Sequence, residues 1–187
     1  MRIALSPVLV LAGVAPLLAQ ETPAQETPAS RIVHVTINDP MNRVVSGLDR
    51  QNFDVKEDGA AQPITAFSDA NSPITIAIVA QGIPAAVTAL RPPGAEIIQA
   101  PSVADALQAL AASKSPRKAL IFASGAIVGE IPSEIQVLKT GSQNLMKAVL
   151  QAENSYCIWF SSARPASAVE VSLRPPAGLP PLTVTIR

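Results

Sequence analysis

The chain has 187 residues, enough for one ordinary domain or two small ones, and its fourteen basic side chains balance fourteen acidic ones. That neutrality excludes the basic footprint of a nucleic-acid binder or of a protein held on an anionic membrane surface. Aromatic residues make up 3%, too few to build stacking platforms for bases or sugars.

The N-terminus reads as a signal peptide over residues 1–19. Arg2 supplies a minimal positive start, Ile3 to Leu18 is an apolar run interrupted by Pro7, Gly13 and Pro16, and Ala19 is a small residue suited to cleavage. The run is shorter than the span of about 20 apolar residues that a membrane helix needs, and its prolines weaken a helix. The mature protein is therefore expected to be exported and free of the membrane. Residues 20–30 repeat Gln-Glu-Thr-Pro-Ala and have no apolar periodicity, which predicts a disordered tether.

Residues 31–70 read as a small β module. Between Arg31 and Asn38, Val33, Val35 and Ile37 share one face, with Ile32, His34 and Thr36 on the other. Asn38-Asp39-Pro40 signals a turn, Val44-Val45 a short extended piece, and Gly47 a break. Phe53 and Val55 alternate with Asp54 and Lys56. Asp58-Gly59 is a tight-turn pair leading to a return strand, Ile64 to Phe67. Ser68 to Pro73 is a polar linker.

Residues 74–187 read as an α/β domain. Ile74 to Val79 is almost continuously apolar, as in a strand buried on both faces. Residues 80–100, with Pro84, Pro92, Pro93 and Gly94, are expected to be irregular. Ser102 and Asp105 predict a capped helix whose stripe is Val103, Ala106, Leu107 and Leu110. Lys118 to Phe122 is a second buried strand. A helix follows within 133–152. Gly141 costs about 1 kcal/mol inside a helix, which favours the later start at Thr140 and Gln143, with Leu145, Met146, Val149 and Leu150 facing the sheet. Ser155 to Phe160 is expected as a third strand of the same sheet. Val169 to Leu173 and Leu182 to Ile186 form a terminal strand pair. Alternating strands and helices predict a parallel sheet with helices on both faces.

Candidate reactive groups are few. Cys157 is the single cysteine, in an apolar strand, and reads as a buried inert thiol. His34, the single histidine, lies far from it in sequence and reads as a strand residue that packs or faces solvent, so a cysteine nucleophile lacks an evident base. Asp54, Glu57, Asp58 and Asp69 lack calcium-loop spacing and read as solvated turn acids. Ser124-Gly125 follows a buried strand, but Phe122 and Ala126 stand where a nucleophile elbow needs glycines.

Val33 to Phe67 contains Asp39, then Val44 to Leu48, then Asn52-Phe53-Asp54-Val55-Lys56-Glu57-Asp58-Gly59 and Gln62-Pro63-Ile64. This order resembles the entry module of the von Willebrand factor A-related proteins of acidobacterial type, and implies a bacterial source. Ile74 to Val79, the helix with Asp105-Ala106, Arg117 to Phe122, and Ala152 to Phe160 then follow that family's sequence of elements. The resemblance implies a trimmed, Rossmann-like sheet preceded by the β module. In family members with a metal-ion-dependent adhesion site the first strand ends in Asp-x-Ser-x-Ser; here those positions are Ala80, Gly82 and Pro84. The later acidic ligand falls at Ser124. A hard divalent cation needs several oxygen ligands with carboxylate charge, so no metal and no cofactor are expected. The resulting expectation is an exported, non-catalytic protein-binding or scaffold module that has lost metal-dependent adhesion. Its surface lies at the carboxyl ends of the strands, around Gln81, Ser102 and Ser124. Two alternatives are an assembly partner that uses a β edge left open between Val79 and Ser102, and a cryptic hydrolase.

Overall fold

The computed structural model describes residues 29–89, 93–123, 129–162, 167–174, 176 and 178–186. The expected signal peptide, most of the tether and Ser124 lie outside the described residues. Alternation in the first segment produces a ten-residue strand, β1 (Ala29–Asn38), with Val33, Val35 and Ile37 on its inner face. The strand begins within the expected tether, because Ala29 and Ser30 pair with Ser162 and Ser161. Next come β2 (Phe53–Glu57), β3 (Ala60–Gln62) and β4 (Ile64–Ser68), with a turn at Asp58-Gly59 whose φ values are 48° and 80°. Glycine adopts this left-handed geometry without penalty, as the Asp-Gly pair predicts.

The chain then forms β5 (Ile74–Val79), α1 (Ala85–Ala89), β6 (Ala95–Ala100), α2 (Val103–Ala112), β7 (Arg117–Phe122), β8 (Ile135–Lys139) and α3 (Leu145–Glu153). The four strands are mutually parallel in the order β6-β5-β7-β8. Ile74, Ile76, Ile78, Ala119 and Ile121 pack with Val87 of α1 and Leu145 and Val149 of α3. Ala77 and Leu120 point the other way, against Ala106 and Leu110 of α2. One face thus carries α1 and α3, the other α2. Ser102 caps α2 as its sequence predicts, its hydroxyl accepting from the Asp105 N–H at 3.2 Å.

The last strands leave this sheet. β9 (Tyr156–Ser162) pairs antiparallel with β1 and β4, and β11 (Thr183–Ile186) pairs with β1, giving the order β11-β1-β9-β4. β10 (Val169–Leu173) joins β2 and β3. The inner faces of these two sheets share one core: Val35, Ile37, Phe53, Tyr156, Ile158 and Phe160 among others. The molecule is a mixed α/β structure in which a two-sheet sandwich is interrupted, between β4 and β9, by the parallel α/β unit.

Five expectations are corrected. Val169 to Leu173 and Leu182 to Ile186 do not pair with each other, since β10 lies beside β2 and β11 beside β1 in the other sheet. Tyr156 to Phe160 is not a strand of the parallel sheet, so the division at residue 74 does not describe strand partnership. Its run is continuously apolar because one face enters the sandwich core and the other meets the α/β unit. Residues 80–100 are not irregular: they hold α1 and β6, and β6 bonds along the whole of β5. β6 then ends the sheet order, so the edge between Val79 and Ser102 lies along Ala95–Ala100 rather than along β5. Residues 135–139 form β8, with the later helix start realised at Leu145 after a 3-10 turn, Ser142–Asn144. Finally, Leu150 faces outward and is 41% exposed, while Ala148 and Ala152 take the inward positions.

Candidate functional site

The order β6-β5-β7-β8 reverses direction between β5 and β7, and in open parallel sheets ligands enter at the carboxyl ends of strands beside such a reversal. Register sets Val79 opposite Ala100, so Gln81 and Ser102 follow two residues later at the same end of adjacent strands. Gln81 is exposed. The Ser102 hydroxyl is engaged by Asp105, accepting from its N–H and donating to Oδ2 at 2.6 Å. Ala80 packs on the core, Gly82 has a φ of 121° with open space where a side chain would stand, and the Pro84 carbonyl accepts from the Val87 N–H at 2.8 Å. None of the three offers a side-chain oxygen. Among the described residues no three histidine, cysteine, aspartate or glutamate side chains gather as metal ligands.

Comparisons with protein-family models, with curated proteins and with solved structures find no match for this chain.

Where β1 and β9 face the α/β unit, the structure brings together two residues that sequence distance separates. His34 and Cys157 are register partners, with Sγ 3.3 Å from Nδ1, and both are buried. His34 therefore does not face solvent. Its Nε2 lies 3.3 Å from the Ser133 carbonyl oxygen. Burial lowers the His34 pKa and pushes the Cys157 thiol up to about 11. Both shifts favour the neutral forms, whereas a nucleophilic cysteine needs a thiolate. The pair is a packed polar contact with the chemistry of an inert thiol, although cross-strand pairing was not legible from the sequence.

Arg117 stands beside this pair and is 1% exposed. Its guanidinium donates to the carbonyls of Asp69 at 2.9 Å, Ser72 at 3.0 Å and Ala152 at 2.8 Å, and to that of Glu153. The first two carbonyls belong to the segment entering the α/β unit, the last two to the segment leaving it. Arg117 thus ties both crossings to the start of β7.

None of the surface hollows was predicted, and two of them lie against the sandwich. One, of about 900 Å³, opens beside β2 and β4 over Phe53, Val55, Ile64 and Phe67. Its rim charges are engaged locally: Arg174 and Asp54 form a two-pronged pair at 2.5 Å, and Arg50 donates to the Ile64 carbonyl. Asp69 accepts from the Ser72 N–H and from the Asn71 amide. The other, of about 630 Å³, runs between α3 and the outer face of β1 and β11. Of the four expected turn acids, Glu57 departs from the expectation. It is buried with Phe53 and Val55 on the inward side of β2, where its carboxylate accepts from Arg31 and Ser162, each at 2.6 Å. The Ser162 hydroxyl is the largest cause of its lowered pKa, ahead of the bond to Ser167 and the Arg31 pair.

Proposed function

We propose that this chain is an exported, non-catalytic protein-binding or scaffold module, a trimmed relative of the von Willebrand A-like domains that has lost metal-dependent adhesion. The observation that carries the reading is the chemistry at the carboxyl end of β5. Ala80, Gly82 and Pro84 occupy the positions where the resembled family places its aspartate and serines, and they supply no oxygen ligand for a hard cation. The neutral thiol of Cys157 and the buried His34 support a non-catalytic role, since neither lines a described hollow. No helix among the described residues is long and apolar enough to cross a membrane.

Calorimetric titration of residues 20–187 with Mg²⁺, Mn²⁺ and Ca²⁺ tests the proposal. The expected result is no binding heat and no change in thermal midpoint. Saturable one-site binding of any of the three would overturn it and restore metal-mediated adhesion.

A further inference from the structure

The groove between α3 and the sandwich has two walls that meet only in the folded chain. Thr36, Asn38 and Thr185 form its sheet wall, and Asn144, Lys147, Leu150 and Gln151 its helix wall. Its volume of about 630 Å³ lies within the range of ligand sites, which favour boundaries between structural units. A smaller hollow of about 240 Å³ shares Asn144, Lys147 and Gln151 with it and adds Lys139. The joint lining holds two lysines and no carboxylate. The first turn of α3 contains no acidic residue, and Asn144 makes no side-chain cap, so the partial positive charge of the helix start adds to the lysines.

A second observation points inward from the groove floor. Thr36 is 2% exposed, and its Oγ1 has no hydrogen-bond partner among the described residues. It sits one step beyond the Val35–Tyr156 pair, which sets it beside Ser155. Ser155 donates to Gln136 Oε1 at 3.0 Å, and Gln136 Nε2 is likewise buried and unpartnered. Of these two residues only Thr36 lines the groove, so its Oγ1, at a cost of about 1–3 kcal/mol, is the atom that a bound polar group can relieve.

We infer that this groove takes an extended acidic peptide segment of a partner protein, an assignment that rests on the protein-binding reading above. Asn38 and Asn144 each carry donors and acceptors that match a peptide backbone. Val44 and Leu150, 39% and 41% exposed, with Met146, form an apolar seat for one side chain. Lys139 and Lys147 select for carboxylates flanking it.

The test follows the amide spectrum of the ¹⁵N-labelled chain during titration with three short capped peptides. One alternates aspartate and leucine, the others asparagine and leucine or lysine and leucine. The acidic peptide is expected to shift Thr36, Asn144, Lys147 and Gln151 and their neighbours, and to bind more tightly than the other two. Lys147→Glu, on an exposed position, should weaken it by about tenfold while spectra away from the groove stay unchanged. Thr36→Val, nearly isosteric, should also weaken it. Equal binding of acidic and neutral peptides, or no shift with any of the three, overturns the inference. Shifts centred on Gln81 and Ser102 also overturn it but leave the protein-binding reading standing. That reading fails by a different result, cation binding in the calorimetric titration.

Discussion

Arg117→Met removes a side chain that joins both crossings between sandwich and α/β unit. Four carbonyl oxygens lose a charged donor. Hydrogen bonds to charged groups contribute about 1.5–3 kcal/mol each, so four set an upper bound of about 6–12 kcal/mol. Returning a buried guanidinium to water in the unfolded state offsets several kcal/mol of this, which leaves about 3–5 kcal/mol net. The expected loss is therefore about 3–5 kcal/mol. For a chain of this length that is a fall in thermal midpoint of about 6–20 °C. Urea unfolding followed by far-ultraviolet circular dichroism measures it. Arg117→Lys should recover only part of the loss, because an ammonium has three donors and no planar fork. A loss below about 1 kcal/mol for the methionine variant, or full recovery by lysine, would refute the role assigned to the guanidinium.

Acid sensitivity should trace to His34. Its pKa is lowered by burial, so the unfolded chain binds the extra proton more readily. The stability it contributes is complete above the unfolded value of about 6.5 and falls as pH drops from there through the folded pKa. Between pH 7.5 and 5.5 the urea midpoint of the wild type should fall more than that of His34→Gln; parallel declines would assign the sensitivity elsewhere. Cys157 should resist Ellman's reagent in the native protein and react fully in denaturant, and rapid native labelling would contradict the buried neutral thiol. Tyr156→Phe strands the Leu48 N–H and the Val45 carbonyl, which the phenol serves at 3.2 and 3.1 Å. A loss of about 1–3 kcal/mol in urea unfolding is expected, and an unchanged midpoint would show those groups find water instead.

Local signals in the sequence map onto local structure. The 2-residue alternation around Val33, Val35 and Ile37, the Asp58-Gly59 turn and the Ser102 cap each depend on near neighbours, and each stands where those neighbours indicate. What was not legible depends on distant partners. A strand buried on both faces has the same composition beside parallel neighbours as inside a sandwich, so Tyr156 to Phe160 carries no mark of its sheet. β6 has two adjacent isoleucines, Ile97 and Ile98, but gains strand form through bonding to β5. At the candidate sites, Gln81 and Ser102 share one end of the sheet as parallel register predicts. The groove against α3, by contrast, needs Thr36 and Lys147 to meet across two units, a relation that no spacing encodes.

The sandwich cannot close in the order in which it is made. β1 waits for β9, whose Cys157 lies 123 residues after its partner His34, and meanwhile the whole α/β unit must be synthesised. Contacts of such long separation form slowly, because the intervening chain must first be ordered. Until the C-terminal strands arrive, β1 and β2 lack their neighbours β9 and β10, and Val33, Val35, Ile37 and Phe53 lack Tyr156, Ile158, Phe160 and Val171 from their core. The unfinished chain is thus held open by its own topology, a state vulnerable to aggregation if the final strands are delayed.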